Sequence, residues 1–457
     1  MIARIGATFR RLSGRFVPDP FVLAIGLTAI VMLVSMRRLA YLEPSCVGAD
    51  CEGPIWTVLS AWVEGFSSRG GLAFALQMSL VLVTGHALAL SPPVQRFVDV
   101  ISRVPKSAGG AAALVALVAC IAGVVHWGLG AIVGALLARE IGRSCAERGV
   151  AVHYPVLGAA AYSGLAVWHG GLSGSAPLMA AQDGNFLEPT IGVLPLSETI
   201  WGMSNLVITG GLIVLIPVAY RFLVPADEST FERPDASQLA TVRLEDRADS
   251  FSVARRLPAP LIGAGALVLV IVGIVTDRWS FDLNTMILVF LFAGLALQGS
   301  FERYVAAITD GARGAGAIVL QFPFYFAMLE MMKASQLIDA VSASLVSLST
   351  AGTFPVVAFL LAGLVNFFVP SGGGQWAVQA EILLGAGQQL GVAPEATIMA
   401  FAYGDAWTNM LQPFWALPLL GIMRLQARDI IGYTAIIFGV MGIWIILMLL
   451  VMGQILT

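Results

Sequence analysis

Apolar runs of about 20 residues recur along the chain, separated by short polar or glycine- and proline-rich segments. Runs near that length can cross ~30 Å of hydrocarbon as a helix. In the first half the pattern predicts spans at 21–36, 71–90 and 204–223. Residues 107–127 cross, turn at 126–130 and return to about Cys145, and 155–182 form a span broken at 169–175. Segments 54–66 and 93–106 are amphipathic and too short to cross, which places them at the membrane interface. In the second half, spans are expected at 257–276, 281–300, 316–332 and 353–369. A hairpin arm at 371–390, a broken span at 394–422 and a last span at 431–452 follow. One polar stretch rich in both charge signs, 225–256, reads as a cytoplasmic linker. It separates an N-terminal repeat half, 1–224, from a C-terminal repeat half, 257–457.

Composition narrows the class. The chain is 58% hydrophobic and 12% charged, against about 25% charged residues in soluble domains. The fold class is therefore an all-α polytopic membrane protein, and a soluble enzyme with a large core is excluded. The net charge is −3 and the basic residues flank apolar runs without forming a patch, so no nucleic-acid partner is expected. The partner instead is the lipid bilayer. With the N-terminus inside, only Arg37, Arg38, Arg69, Arg278 and Lys333 of the 25 basic residues lie outside. The positive-inside rule thus predicts a bacterial inner-membrane protein with a cytoplasmic N-terminus and a periplasmic C-terminus. The basic start, Arg4 to Arg15, precedes an apolar run without a cleavage site, so no cleavable signal is expected. Cys46 and Cys51 share an outer loop in which a disulfide is allowed. Cys120 and Cys145 lie in or beside apolar segments and are expected to be inert.

Residues 366–381, NFFVPSGGGQWAVQAE, hold the strongest local signal. Pro370 ends one helix, the glycines let the chain turn, and a new helix begins beside Ser371 with free N–H groups. Such a terminus binds anions. In a membrane, broken backbone survives only where it lines a cavity or is buried in protein. The first half carries an echo of this arrangement. At an offset of 241, Ala161-Tyr162 falls on Ala402-Tyr403, Pro177 on Pro418, Glu140 on Glu381 and Gly130 on Ser371. AGVVH at 122–126 matches AGLVN at 362–366, one residue out of step. The predicted spans run in opposite directions, giving two inverted repeats, each with a hairpin and a broken transmembrane helix. Paired breaks of this kind mark a substrate site near the bilayer midplane.

The candidate chemistry sits at those breaks. Asp405 lies in an apolar run just before Thr408 and Asn409. An ionisable group inside a span usually marks an ion or proton path, and these three residues offer an oxygen shell for Na⁺; protonated, Asp405 serves H⁺ coupling. The bland alternative is a helix-capping aspartate. Asn366, Ser371, Gly372, Gly373, Gly374 and Gln375 are candidates for holding substrate, or for capping the hairpin helix, and Thr408 and Asn409 are candidates for substrate as well as for the ion. GGGQ lacks the lysine of a phosphate-binding loop and follows a span, not a strand. In the first half His126, His169, Ser173 and Ser175 occupy corresponding places. The two histidines match no metal spacing and can serve the substrate, a proton relay or their own backbone. Trp127, Trp168, Trp376 and Trp407 can wall an apolar pocket or pack between helices. His86 and Glu330 lie within spans without an assigned role. No Lys or Arg lies near either set of breaks, so a bound carboxylate must rely on helix N-termini, hydroxyls, amides and a co-bound cation.

VPSGGGQWAVQ at 369–379 and AYGDAWTNMLQPFW at 402–415 resemble the AtoE-type short-chain fatty acid transporter family of the ion transporter superfamily. The resemblance extends along most of the chain, with its specific motifs in the C-terminal half. It implies a secondary active transporter for a small monocarboxylate such as butyrate or acetoacetate, coupled to Na⁺ or H⁺ as symported ion. It also implies a homodimer whose scaffold helices hold two mobile units that work by elevator-like alternating access. No other cofactor is expected. The alternatives are a dicarboxylate or other small-anion carrier of the same superfamily, an antiporter, or an ion channel. No His-Glu-x-x-His motif or nucleophile–base pair suggests an enzyme.

Overall fold

The structure is a computed structural model that describes residues 20–42, 53–235 and 258–455, apart from positions 277, 314, 368, 370, 413 and 414. The Cys46–Cys51 pair and most of the polar linker fall outside the described residues.

Helices follow the apolar runs closely. The first half contains α1 (Pro20–Leu42), α2 (Pro54–Phe66), α3 (Arg69–Ala89), α4 (Pro92–Ile101), α5 (Ala108–Val125) and α6 (Trp127–Glu147). It continues through α7 (Tyr154–Ala161), α8 (Gly164–Val167), a 3₁₀ turn at Trp168–Gly170, α9 (Ser175–Ala180) and α10 (Met203–Leu223). The second half contains α11 (Pro258–Val275), α12 (Leu283–Gln298), α13 (Phe301–Ala312), α14 (Ala315–Ala334), α15 (Leu337–Leu348) and α16 (Phe354–Asn366). It ends with α17 (Gly372–Gln389), α18 (Pro394–Asn409), α19 (Leu417–Met423) and α20 (Ala427–Ile455). Among the described residues there is no strand. Six helices among the described residues, α1, α3, α5, α10, α11 and α20, are long and apolar enough to cross a membrane. Their outer faces carry exposed Ile30, Leu33, Val214, Leu269 and Ile443, as expected of surfaces solvated by lipid.

Three features depart from the expectation. The first broken span is interrupted at Tyr162-Ser163 as well as at 169–175. Two helices without a predicted counterpart, α13 and α15, fill the intervals after the 281–300 and 316–332 spans. His86 and Glu330 gain partners: His86 Nε2 meets Asp310 of α13 at 2.9 Å, while Lys333 joins Glu330 at 3.3 Å to Glu381 of α17 at 2.8 Å.

Two apolar clusters form the interior. One gathers α5–α8, α10, α19 and α20; the other gathers α2, α3, α9, α14 and α17. Helices α16 and α18 send residues to both, Phe359 and Tyr403 to the first, Phe354 and Phe401 to the second. Trp127 packs against both. Glycine permits the closest crossings. A Cβ on Gly123 of α5 would strike the Gly164 backbone of α8, and one on Gly404 of α18 would strike the Phe359 carbonyl of α16. Backbones brought this near gain van der Waals contact, the main attraction left to helices surrounded by lipid.

Candidate functional site

The start of α6 and the start of α17 are built alike. At α17, Ser371 Oγ accepts from Gly374 N and Ser371 O from Gln375 N. At α6, His126 Nδ1 accepts from Gly128 N at 2.9 Å and Leu129 N at 3.3 Å. Its Nε2 therefore carries the proton, which it donates to Val81 O at 2.8 Å. Both residues are N-caps satisfying orphan helix donors. His126 is spent on this work and turns away from the cavity described below. The amides of Gly372 and Gly373 donate to no protein group among the described residues.

The first break wraps against both starts. Leu172 N donates to Val124 O at 2.7 Å and Trp127 N to Ser173 Oγ at 3.0 Å, fastening the break to the α5–α6 turn. On the other side, a Cβ on Gly372 would lie 2.7 Å from Trp168 Cη2 and 2.9 Å from His169 Cε1. Only a glycine tip seats α17 on the 3₁₀ turn this closely. Asn205 of α10 holds the turn from behind, donating to Gly170 O at 2.8 Å, and Tyr403 OH reaches Asn205 Oδ1 at 3.1 Å.

Asp405 and His169 meet at the centre. They lie 236 residues apart, with His169 Nδ1 2.7 Å from Asp405 Oδ2, both fully buried. Ala176 N donates to His169 Nε2 at 3.2 Å, and Ser175 Oγ lies at the same distance. An amide N–H pointing at Nε2 requires a lone pair there, so the proton sits on Nδ1 and is given to the carboxylate. Asp405 lies inside α18, one turn before its end, and is not a helix cap. Among the described residues no Lys or Arg pairs with it.

Asn366 ties α16 to α18. Its Nδ2 is 2.9 Å from each of Asp405 O, Thr408 Oγ1 and Asn409 Oδ1. Gln412 Nε2 donates to Asn366 O at 2.7 Å. Gln375 Nε2 donates to Ala362 O and Gln379 Oε1, both at 2.6 Å. Each amide nitrogen is thus committed, while Asn366 Oδ1, Gln375 Oε1 and Gln412 Oε1 remain buried without a donor. Orphaned buried acceptors are rare and call for an explanation.

A small cavity of about 30 Å³ opens between the tip and the break, lined by Met78, Trp127, Leu165, Trp168, Ile318, Phe322, Ser371, Gly372, Asn409 and Trp415. That is roughly the room of one or two waters, so the state is closed. A second depression, around Tyr162 and Thr434, carries no charged group.

Of the predicted residues, Ser371, Gly372 and Asn409 line this cavity. Asn366, Thr408, Asp405, His169 and Ser175 form the polar network beside it. Ser173 and His126 fasten the first hairpin. Gly373 and Gly374 face Phe74 and Tyr325. Trp127 and Trp168 wall the cavity, whereas Trp376 packs on Phe401 and Trp407 stacks on Phe438. Gln412, Trp415 and Asn205 went unnoticed in the sequence. A polar amide inside a span was the available signal for Asn205; Gln412 and Trp415 follow the DAWTN motif closely enough to have been read with it.

Comparison with known proteins agrees with this architecture. The model of the short chain fatty acid transporter family matches residues 1–452. A protein of Escherichia coli (strain K12) named "Putative short-chain fatty acid transporter" is 36% identical over 457 residues, covering 96% of this chain and 98% of its own. A Haemophilus influenzae protein of the same name is 33% identical over 461 residues, covering 96% of this chain and 97% of its own. The crystal structure of the Alcanivorax borkumensis YdaH transporter superposes with a TM-score of 0.56 at 17% identity, over 96% of this chain and 98% of that one. That likeness is one of fold. The chain is a multi-pass membrane protein, and it belongs to the short chain fatty acid transporter family.

Proposed function

We propose that this protein takes up short-chain monocarboxylates such as butyrate or acetoacetate by cation symport, carrying its two breaks across the membrane in an elevator-like cycle. The observation that carries the proposal is the buried His169–Asp405 clasp joining the two halves. With His169 neutral, Asp405 keeps a whole negative charge that no basic side chain among the described residues offsets. A bare charge at this depth is too expensive. A cation balances it, and the orphaned oxygens of Asn366, Gln375 and Gln412 are hard ligands of the type Na⁺ takes. A proton on Asp405 balances it equally in charge but leaves those oxygens unused.

The substrate carboxylate then meets the free Gly372 and Gly373 amides at the positive end of α17. Ion and substrate offset each other's charge, so each binds better with the other present. The closed cavity requires the α17 tip and the 169–175 break to part before an acid enters. A homodimer in the bacterial inner membrane, with the N-terminus cytoplasmic and the C-terminus periplasmic, completes the proposal. It is supported by the distribution of basic residues and by the family resemblance.

The test is uptake of labelled butyrate into proteoliposomes, with Na⁺ and proton gradients imposed separately. Accumulation above equilibrium under one gradient is expected. Equal filling with and without a gradient removes the coupling, and succinate taken up in place of butyrate moves the substrate to dicarboxylates.

A further inference from the structure

We infer that the indole N–H of Trp168 is a ligand of the transported carboxylate, so that the first half of the chain supplies a substrate donor alongside the glycine tip of the second. Trp168 lines the central cavity and is buried, yet its Nε1–H has no hydrogen-bond partner. A buried indole N–H ordinarily finds one. The ring is held in place on both sides. One face stacks on His169 at 4.3 Å between centroids and 22° between planes. Its benzo edge abuts Gly372, with Cζ2 2.9 Å and Cη2 2.7 Å from where a Cβ would stand. Cζ2 is bonded to the carbon that bears Nε1, so the N–H lies along the edge that faces the tip. The two free amides of Gly372 and Gly373 are on that same tip.

The indole N–H of Trp168 and the amide of Gly372 thus border one small cavity, with the Gly373 amide next along the tip, and none of the three has a protein acceptor among the described residues. An anion with two oxygens satisfies such a set, and a neutral molecule of the same shape satisfies it poorly. Apart from Ser371 and Asn409, the remaining walls are apolar, Trp127, Leu165, Phe322 and Trp415 among them. The apolar walls take the acyl chain, with the Trp127 and Trp415 rings packed edge to face at 5.4 Å among them. The carboxylate is read by Trp168 together with the tip, and the acyl chain by the apolar walls.

Resting on the carboxylate-transport proposal above, the experiment uses the full-length protein in proteoliposomes. Wild type is compared with Trp168→Phe and with 3-benzothienylalanine at position 168, which keeps the bicyclic shape and lacks only the N–H. Butyrate KM is expected to rise about tenfold in both, the size of one hydrogen bond to a charged group, with maximal rate within twofold. Inhibition by butyramide, the neutral isostere, is expected to stay unchanged. An unaltered KM for the benzothienyl protein overturns the inference, as does an equal loss for butyrate and butyramide, which indicates packing alone. Wild-type protein that fails to transport butyrate at all overturns the underlying transport proposal, whatever the variants do.

Discussion

At the scale of single residues, the proposed coupling rests on Asp405. Asp405→Asn can still accept the His169 N–H, so folding is expected to persist while the charge is lost. Concentrative uptake is then expected to fall to background, with substrate affinity falling too because the two ligands bind reciprocally. Uptake under an imposed gradient, beside a thermal unfolding curve, checks this; a folded variant that still concentrates substrate assigns the ion site elsewhere. Gly404 offers a purely steric counterpart. A Cβ there meets the Phe359 carbonyl, which cannot rotate away as a side chain can. Gly404→Ala is expected to cost about 1–3 kcal/mol through overpacking, seen as a lowered unfolding temperature. The sequence marked Asp405 because a charge in an apolar run is visible in one dimension. It did not reveal that the partner is His169, since nothing local links residues 236 apart.

At the scale of elements, N-caps and docking contacts decide which polar residues remain free for function. His126 and His169 occupy similar places in the chain and looked equivalent. His126 caps α6, so His126→Ala is expected to destabilise by about 1 kcal/mol or more, whereas His126→Asn, a good cap, is expected to recover much of that loss. A proton-relay role predicts the reverse, with Asn as inactive as Ala in uptake.

A second docking contact lies outside the spans. His153 Nδ1 accepts from Glu232 N at 2.9 Å, and its Nε2 donates to Tyr433 OH at 2.8 Å, holding the chain after α10 against α7 and α20. Burial lowers the His153 pKa below its usual 6.5. The docked form is neutral, so its stability is full above the unfolded value and declines as pH falls below it toward the folded value. The phenol of Tyr433 is the ionisable group bonded to it, and Glu232, from whose backbone amide it accepts, is the acidic residue attached at the same contact. Hydrogen exchange at the Glu232 amide, corrected for intrinsic rate, is expected to quicken as pH drops below the usual histidine value of 6.5, and His153→Phe is expected to abolish that pH dependence.

At the scale of the whole molecule, the basic residues predict topology. Cysteines placed at 388–391 are expected to label from outside in intact cells, and one at position 240 only after permeabilisation; the opposite pattern inverts the arrangement. Stoichiometry has its own readout. One cation per monoanion is electroneutral and indifferent to voltage, while a second adds ~2.3 kcal/mol per 100 mV. Uptake against a potassium-diffusion potential separates the two.

The amino-acid sequence by itself determined the class, most of the helices and the breaks before Trp127, at 169–175 and before Gly372, but not the interruption at Tyr162-Ser163 or helices α13 and α15. Hydrocarbon demands long apolar helices, and clusters of glycine with proline or polar residues favour breaks in them, although Pro217 and Pro323 stand within unbroken helices; both rules act locally along the chain. The resemblance carried by 369–379 and 402–415 likewise fixed the family before any fold was known. The tertiary structure alone decided which polar groups meet and which are already occupied. It turned His126 back onto its own helix and His169 across to Asp405, placed Trp168 at the cavity and Trp376 away from it, and left the amide oxygens of Asn366, Gln375 and Gln412 and the cavity-lining indole N–H of Trp168 without partners among the described residues. A hydrogen bond depends on a few tenths of an ångström and on direction. Those quantities exist only once α16, α17, α18 and the 168–170 turn are packed together, and no spacing along the chain encodes them.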